Sequence, residues 1–249
     1  MYLELFEFKY LNVTSNERDR NRTLKIHLHR IQVRAKSDIE KGEEITTQYM
    51  PTTTKGTFYR RQELKHMWYF ECGCKLCRDP TESGTMFSAL KCPVCEGDAE
   101  GYLLPDDPLD HDSSWRCKMC HFTQNVQDVI NQNAEMENLL DSGLKLPNVT
   151  TEGDVPELNK ILLTMQNIFH ENHFLVVRLK QKLGVLLGSK DGCDDLGGIS
   201  NDIIKQKLSL CQDVITVKSK LEQGIKGKWK DKMDNEINRC LVELSKRGE

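Results

Sequence analysis

Seven of the ten cysteines in this 249-residue chain lie between residues 72 and 120, and their spacing restricts what the region can fold into. Two Cys-x-x-Cys pairs, Cys92 with Cys95 and Cys117 with Cys120, form a set of four, called the quartet below. A structural zinc ion binds four thiolates at tetrahedral corners, and a Cys-x-x-Cys turn presents two of them to one metal. The pattern therefore predicts one structural zinc ion held by the quartet.

The other three cysteines of the region, Cys72, Cys74 and Cys77, form a triplet that is one ligand short. No further cysteine lies near them in the sequence, so a fourth ligand must come from a distant residue, from water or from an exposed histidine such as His66. We expect the triplet to bind zinc more weakly than the quartet. A disulfide framework is the alternative, but paired spacings in a chain of this length favour metal.

Composition indicates several small cores rather than one large core. The hydrophobic content is 38%, the charged content is 29% and the net charge is -3. No apolar stretch approaches the roughly 20 residues of a membrane helix, so no membrane partner is predicted. The lysine-rich stretch 218–232 is interpreted as solvated surface rather than as a nucleic-acid site, and no direct contact with nucleic acid is predicted.

The first third of the chain has strand and turn patterns. Residues 24–34 alternate apolar and polar side chains, which predicts a half-buried strand with two histidines on its polar face. A turn is predicted at Lys41 and Gly42, followed by a short strand that ends near Tyr49.

Helical patterns dominate the rest of the chain. Residues 57–70 predict an amphipathic helix whose cations, Arg60 and Arg61 among them, are interpreted as a solvated face. After residue 120 apolar residues recur at helical spacing. We expect Cys211 and Cys240 to be core residues. The later helices are predicted over residues 126–140, 158–169, 176–186, 204–215 and 229–244.

Residues 33–91 resemble the end of a SET domain and the cysteine cluster that follows it. The resemblance rests on the glycine-acid-acid turn at 41–44, on Tyr49, on Phe70 just before the cysteines, and on both cysteine groups in order. Its form is that of the SET and MYND domain lysine methyltransferases. The stretch 77–92 is similar to the arthropod branch of that family, in which a second cysteine quartet and a helical C-terminal domain follow.

The resemblance covers about residues 31 to 245 and implies the domain order. The expected fold class is α+β, predominantly α, with a short SET-domain β remnant, a zinc-bound cysteine-rich region and C-terminal helical hairpins like those of TPR proteins. The expected parts are the C-terminal part of the SET domain (1–50), the post-SET helix and cysteine cluster (51–90), a zinc-binding four-cysteine module (91–124) and the helical domain (125–249).

The resemblance implies methyl transfer from S-adenosylmethionine to a lysine of a protein substrate, histone or non-histone. Tyr49 matches the tyrosine that closes the lysine channel and orients the reacting groups, and Phe70 matches the aromatic residue that packs on the adenine of the cofactor. Without the resemblance, Tyr49 would be interpreted as an ordinary strand-end tyrosine and Phe70 as a hydrophobic anchor of the cysteine loop. The family implies a location in the cytoplasm, the nucleus or both.

The departures from the family pattern bear on activity. Members of the family carry a glycine-containing cofactor motif, a MYND zinc module and an Asn-His-Ser-Cys motif before the stretch that corresponds to residue 31, and none of these occurs here. In the family the cysteine of the last motif is the fourth ligand of the post-SET zinc. The chain is therefore expected to begin partway through the SET domain, as a shortened isoform, a diverged paralogue or an incomplete gene model.

Two functions follow from these patterns. The first is a protein-lysine methyltransferase, or part of one, with Tyr49 in the active site and Phe70 beside the cofactor. The second is a catalytically inactive zinc and helical module that binds partner proteins. For the isolated chain we predict inactivity.

Overall fold

The chain divides at Pro51 into two compact units, Met1–Pro51 and Thr52–Glu249. A computed structural model describes residues 11–14, 32–35, 40–42, 48–95, 101–144, 155–188, 196–222 and 228–248.

The first unit contains a two-stranded antiparallel sheet formed by β1 (Leu11–Thr14) and β2 (Gln32–Ala35). The strand predicted over residues 24–34 overlaps the described part of the chain only at β2. Its earlier part, with both histidines of its polar face, lies outside the described residues.

The predicted turn at Lys41 and Gly42 is confirmed. Gly42 has φ of 91°, a left-handed conformation that glycine adopts without steric cost. The strand predicted to follow falls mostly outside the described residues, and the backbone from Gln48 to Met50 is irregular.

The second unit combines a small sheet with helices. Among the described residues, two helices come first, a four-stranded antiparallel sheet in the order β3-β4-β5-β6 follows, and five consecutive helices complete the unit. The predominantly helical α+β class is confirmed. The elements are α1 (Thr57–Trp68), α2 (Lys75–Arg78), β3 (Leu90–Lys91), β4 (Tyr102–Pro105), β5 (Trp115–Cys117), β6 (Thr123–Gln124), α3 (Val126–Leu144), α4 (Val155–Ile168), α5 (Phe174–Leu186), α6 (Asn201–Leu221) and α7 (Lys228–Lys246).

The five later helices form because their apolar residues recur on one face, and each packs against the next along the chain. Leu158 and Met165 of α4 and Leu183 of α5 are completely buried between neighbours. All five predicted helices are confirmed, as is the burial of Cys211 and Cys240. The likeness to TPR hairpins stays a prediction. None of the described helices is both long enough and apolar enough to cross a membrane.

Backbone hydrogen bonds and a shared hydrophobic core join the four-stranded sheet to the helices. The backbone N–H of His170 donates to the carbonyl of Ala89 at 3.0 Å, and that of Phe174 donates to the carbonyl of Phe87 at 2.9 Å. Both phenylalanine side chains are buried in the core that spans sheet and helices. The segment leading into β3 is therefore fixed by the loop between α4 and α5.

The beginning of the second unit is bonded to the end of α6. The Thr52 hydroxyl donates to the carbonyl of Leu221 at 3.0 Å, and the Thr53 hydroxyl donates to Glu222 Oε1 at 2.7 Å. The other oxygen of the Glu222 carboxylate accepts the indole N–H of Trp229 at 2.9 Å. This contact closes the second unit on itself.

Three cations contradict the prediction of solvated surface. Arg60 and Arg61 of α1 are each only 3% exposed, and Lys218 of α6 is 6% exposed. The Lys218 ammonium lies 5.1 Å from the centre of the Trp229 indole and donates to Gln181 at 2.6 Å. The prediction was wrong because it considered only neighbours in sequence, whereas the partners of these cations come from distant segments.

Candidate metal centre

The quartet lies on two turns of the small sheet. Cys92 directly follows β3, and Cys117 ends β5 opposite Leu103 of β4. Backbone hydrogen bonds close both turns, since the N–H of Cys92 donates to Gly101 at 2.8 Å and that of Cys117 donates to Phe122 at 2.9 Å. Strand pairing thus brings two turns that are separate in sequence to one place.

The four quartet sulfurs all lie within 4.8 Å of one another. The Sγ atoms of Cys92 and Cys120 are 3.5 Å apart, and those of Cys95 and Cys117 are 3.7 Å apart. In a tetrahedral site with zinc–sulfur bonds of about 2.3 Å, neighbouring sulfurs are about 3.8 Å apart. The quartet could therefore hold a zinc ion with little movement.

A glycine leaves the space that the sulfurs need. A β-carbon placed on Gly101 would lie 2.5 Å from the sulfur of Cys95 and 2.6 Å from that of Cys117. Real side chains do not approach so closely, so any other residue at this position would displace the sulfurs. Gly101 is thus a structural part of the site.

The electrostatics of the quartet are those of thiols that share a small volume. Burial raises the pKa of Cys92, and the neighbouring Cys120 thiol raises the pKa of Cys95 to about 12. Burial also acts to raise the pKa of Cys117, but the backbone N–H groups of Cys120 and Met119 outweigh it and bring the pKa to about 7. One thiolate forms readily, and a cation is needed to stabilise the others.

The triplet is built differently, within one short loop. Cys72, Cys74 and Cys77 place their sulfurs within 4.8 Å of one another, and among the described residues no other histidine, cysteine or carboxylate joins them. His66 is exposed and is not part of the group. Cys74 precedes α2, whose first turn carries Cys77 back towards it. Three sulfurs could contribute to a metal site.

Hydrogen bonds between the thiols concentrate negative charge on the middle residue of the triplet. The pKa of Cys74 is lowered because the thiols of Cys72 and Cys77 donate to its sulfur. The hydrogen bond to Cys74 raises the pKa of Cys72, and hydrogen bonds to Cys72 and Cys74 raise that of Cys77. One thiolate with two thiol donors is a compact negative site.

A buried ion pair supports the loop that follows the triplet. Arg60 Nη1 lies 3.3 Å from Glu82 Oε1, and both side chains are almost completely buried. The same oxygen accepts the backbone N–H and the hydroxyl of Thr57, each at 2.7 Å. Glu82 Oε2 is buried and has no hydrogen-bond partner among the described atoms, but Glu82 lines a cavity of about 20 Å³, which has room for one water molecule. This pair fixes α1 against the loop at Glu82.

A second buried arginine joins the two cysteine clusters. Arg61 Nε donates to the carbonyl of Cys72 at 2.9 Å. Its Nη1 donates to the carbonyls of Pro108 and Leu109 at 3.1 and 2.6 Å. These two carbonyls belong to the loop between β4 and β5, which is part of the quartet module.

The residues predicted to act on substrate and cofactor are both in the described part of the chain. Tyr49 lies in the irregular end of the first unit and is 39% exposed. Phe70 belongs to the second unit, directly after Tyr69, which ends α1 with a left-handed φ of 58°. Phe70 is half-buried. Their roles stay predictions.

Sequence reasoning missed Gly101, Arg61 and Glu82 as supporting residues of the two clusters. A signal existed for Gly101, because a glycine directly before a strand often marks a close approach of another group to the backbone. No comparable signal existed for the buried charges, because their contacts with Glu82, Pro108 and Leu109 join residues 22 to 48 positions apart.

Comparison with known proteins gives partial matches. No family model matches the chain. SET domain-containing protein SmydA-8 of Drosophila melanogaster is 41% identical over 88 residues in isoform A and 37% identical over 90 residues in isoform B. These matches cover 35% and 36% of this chain but only 18% and 19% of the relatives. Histone-lysine N-methyltransferase ASHR1 of Arabidopsis thaliana is 22% identical over 191 residues, covering 74% of this chain and 36% of the relative.

The insect relative is named as a SET domain-containing protein and the plant relative as a histone-lysine N-methyltransferase. Together these partial matches support a relation to the SET-domain methyltransferases. The chain spans about a fifth of the length of SmydA-8 and about a third of that of ASHR1.

Proposed function

We propose that the chain is a S-adenosylmethionine-dependent protein-lysine N-methyltransferase of the SET and MYND type by descent, and that the isolated polypeptide is inactive. The observation that carries the first part is the similarity to SmydA-8 and ASHR1. The substrate class is a protein with a target lysine, histone or non-histone, and the location is the cytoplasm, the nucleus or both.

The proposed chemistry assigns roles to two side chains. S-adenosylmethionine, when bound, supplies a methyl group already activated by its sulfonium. Tyr49 would orient the lysine amine through its hydroxyl, and Phe70 would pack on the adenine ring. Alignment of the amine with the methyl group is the main task of the protein in such a transfer.

Zinc has a structural role in this proposal. The quartet supplies four thiolates and so leaves no open coordination position for a substrate or a water molecule. The sulfur separations and the space left by Gly101 support this assignment. The ion would fix the four-stranded sheet. Backbone hydrogen bonds at Phe87 and Ala89 connect this sheet to the helices.

The second candidate function is a zinc and helical module that binds partner proteins without catalysis. It is supported by the absence from the 249 residues of an Asn-His-Ser-Cys motif, which contributes to the cofactor pocket of the family. The five packed helices α3 to α7 would provide the binding surface.

Calorimetric titration of S-adenosylmethionine into the zinc-loaded chain separates these functions. We expect no heat of binding, together with helix content that shows a folded protein. Micromolar binding that Phe70→Ala weakens would sink the proposal of inactivity and would leave the methyltransferase assignment in place.

A methylation assay on a mixture of histones and cell proteins supplies the second measurement. If the chain is active, Tyr49→Phe should abolish transfer. Tyr69→Phe is the matched control, because it removes one hydroxyl from a side chain that is 89% exposed. Equal activity of both variants would contradict the role of Tyr49.

A further inference from the structure

The buried guanidinium of Arg61 is hydrogen-bonded both to the triplet and to the loop between β4 and β5. Its side chain is 4% exposed, and its ion pair with Glu71 is long, at 3.9 Å, with Glu71 half exposed. A buried cation is costly unless hydrogen bonds replace its water. For Arg61 these bonds come from the carbonyls of Cys72, Pro108 and Leu109.

The carbonyls that accept hydrogen bonds from Arg61 belong to two different parts of the chain, one in the triplet and one in the loop that leads to the quartet. The Cys72 carbonyl is part of the peptide that joins a triplet ligand to Gly73. The other two carbonyls lie in the loop whose far end enters β5 and reaches Cys117 of the quartet. The planar, forked guanidinium donates in both directions at once, which a lysine ammonium cannot do with the same geometry.

The position of the β4–β5 loop depends in turn on the quartet. Both strands that flank the loop are fixed to the metal site, since Gly101 packs on two of its sulfurs just before β4 and Cys117 ends β5. A metal in the quartet therefore fixes the strands that carry the loop, and the loop fixes Arg61.

We propose that Arg61 is a positioning residue that couples metal binding at the two cysteine clusters. Zinc in the quartet orders the loop at Pro108 and Leu109, and Arg61 transfers that order to the peptide of Cys72, which preorganises the triplet. By thermodynamic linkage, metal in the triplet strengthens binding at the quartet by the same factor. The coupling rests on the zinc assignment in the proposed function.

The test is a zinc titration of the full chain at chelator-buffered free zinc, with the number of ions per chain counted by native mass spectrometry. For the unchanged chain we expect two steps, the quartet first and the triplet second. Arg61→Met should move the second step to about 10- to 100-fold higher free zinc, which is the usual effect of removing a residue that orients metal ligands.

Arg60→Met is the matched control, because Arg60 is adjacent, equally buried and hydrogen-bonded to Thr57, Lys55 and Glu82 rather than to Cys72. General loss of stability would affect both variants, whereas coupling affects Arg61 alone. Equal shifts of the second step in the two variants would overturn the proposal.

Two further variants keep the proposal testable if Arg61→Met does not fold. Arg61→Lys keeps the charge and loses the fork, so it should weaken the triplet with helix content unchanged. Cys92→Ser disables the quartet and should also weaken cadmium binding at the triplet, seen by ¹¹³Cd NMR as a separate three-thiolate resonance. Triplet affinity that is unchanged in both variants would contradict coupling.

A chain that never takes a second zinc would also overturn the coupling. It would leave the first zinc and the relation to SET-domain methyltransferases untouched, so the two proposals can fail separately.

Discussion

The quartet and the triplet both bring cysteine sulfurs together, but different parts of the structure hold those sulfurs in place. The quartet is closed by its own strands, with two Cys-x-x-Cys turns on neighbouring strands and a glycine that makes room for the sulfurs. The triplet occupies a loop of six residues, from Cys72 to Cys77, and Arg61 positions it through the carbonyl of Cys72. The Arg60–Glu82 pair fixes the separate loop that follows. A metal site can thus be stabilised by its own ligands or by buried charges around it.

Because the two clusters are supported differently, we expect different substitutions to weaken metal binding at each of them. Four converging thiolates gain their stability from the metal, so the quartet should tolerate changes in α1 and fail when a ligand is lost. The triplet should be sensitive to loss of Arg61 in α1, even though all seven cysteines stay in place.

Loss of a quartet ligand should have the largest effect. Structural zinc contributes an apparent binding free energy of about 10–16 kcal/mol in small zinc domains, and part of it is lost with one thiolate. We expect Cys92→Ser to remove the tightly held zinc and to lower the melting temperature markedly. Elemental analysis and thermal unfolding measure both effects.

The control for that variant is Cys193→Ser, since Cys193 has no cysteine at metal spacing in the sequence. An unchanged melting profile for Cys92→Ser would contradict a structural metal in the quartet. One chelator-resistant zinc per chain is expected, and two would show that the triplet is as strong as the quartet.

Loss of the buried pair beside the triplet should come next. Glu82→Ala leaves the Arg60 guanidinium buried without its carboxylate, and breaking such a pair costs about 3–5 kcal/mol. We expect this loss in the free energy of unfolding measured in urea, with the first zinc retained.

Glu63→Ala is the matched control, because Glu63 lies on α1, the helix that carries Arg60. Glu63 pairs with Lys55 at 3.1 Å on the surface, and exposed pairs contribute about 0–1 kcal/mol. If both variants lose the same free energy, the buried pair does not have the structural role assigned to it.

Filling the space at Gly101 should weaken the quartet alone. The added methyl group of Gly101→Ala would meet two sulfurs, and such overpacking costs roughly 1–3 kcal/mol. We expect lower zinc affinity in the first titration step and a smaller free energy of unfolding. Gly198→Ala, where nothing lies within 4 Å of an added methyl group, should be close to neutral. Equal zinc affinity of the two variants would argue against Gly101 as part of the site.

The smallest predicted effect is acid sensitivity that does not come from either cluster. His173 is completely buried, its Nδ1 accepts the backbone N–H of Leu175, and burial holds its pKa well below the ordinary value. Below about pH 6.5 the unfolded chain binds a proton that the folded chain does not. This contribution to stability is therefore complete above that pH and decreases by about 1.4 kcal/mol per pH unit as the pH falls towards the folded pKa.

His173→Asn removes this titration and keeps an oxygen that can cap α5. We expect the variant to lose less stability than the unchanged chain between pH 6.5 and pH 5 in urea unfolding. Acid also releases zinc from thiolates, so only the difference between the two proteins measures the histidine. His66→Asn makes the same substitution at an exposed position and is the matched control. Parallel curves for the unchanged chain and His173→Asn would refute the assignment.

Local patterns were sufficient to predict most of the fold. The five later helices follow from apolar periodicity, and the quartet follows from its paired spacing. Both signals are contained within a few residues, so they can be recognised without knowing which segments meet.

The buried charges could not be predicted in the same way. In the sequence, Arg60 and Arg61 look like the solvated face of a helix, and their burial becomes favourable only when carbonyls and a carboxylate from distant segments replace water. The partners Glu82, Pro108 and Leu109 are 22, 47 and 48 residues away. The three cysteines of the triplet were correctly grouped, but the contact of Arg61 with the Cys72 peptide was not visible in the sequence.

The hydrogen bonds that close the second unit also set an order of events during synthesis. Thr52 and Thr53 are joined to partners 169 residues later in the chain. At about 5–20 residues per second, a ribosome needs roughly 8–34 s to translate that separation. Cys120, the last cysteine of the quartet, is made well before Glu222. Zinc can thus bind to the growing chain before residues 221 and 222 have been made. The sheet that the metal fixes is then in place when the last helices pack.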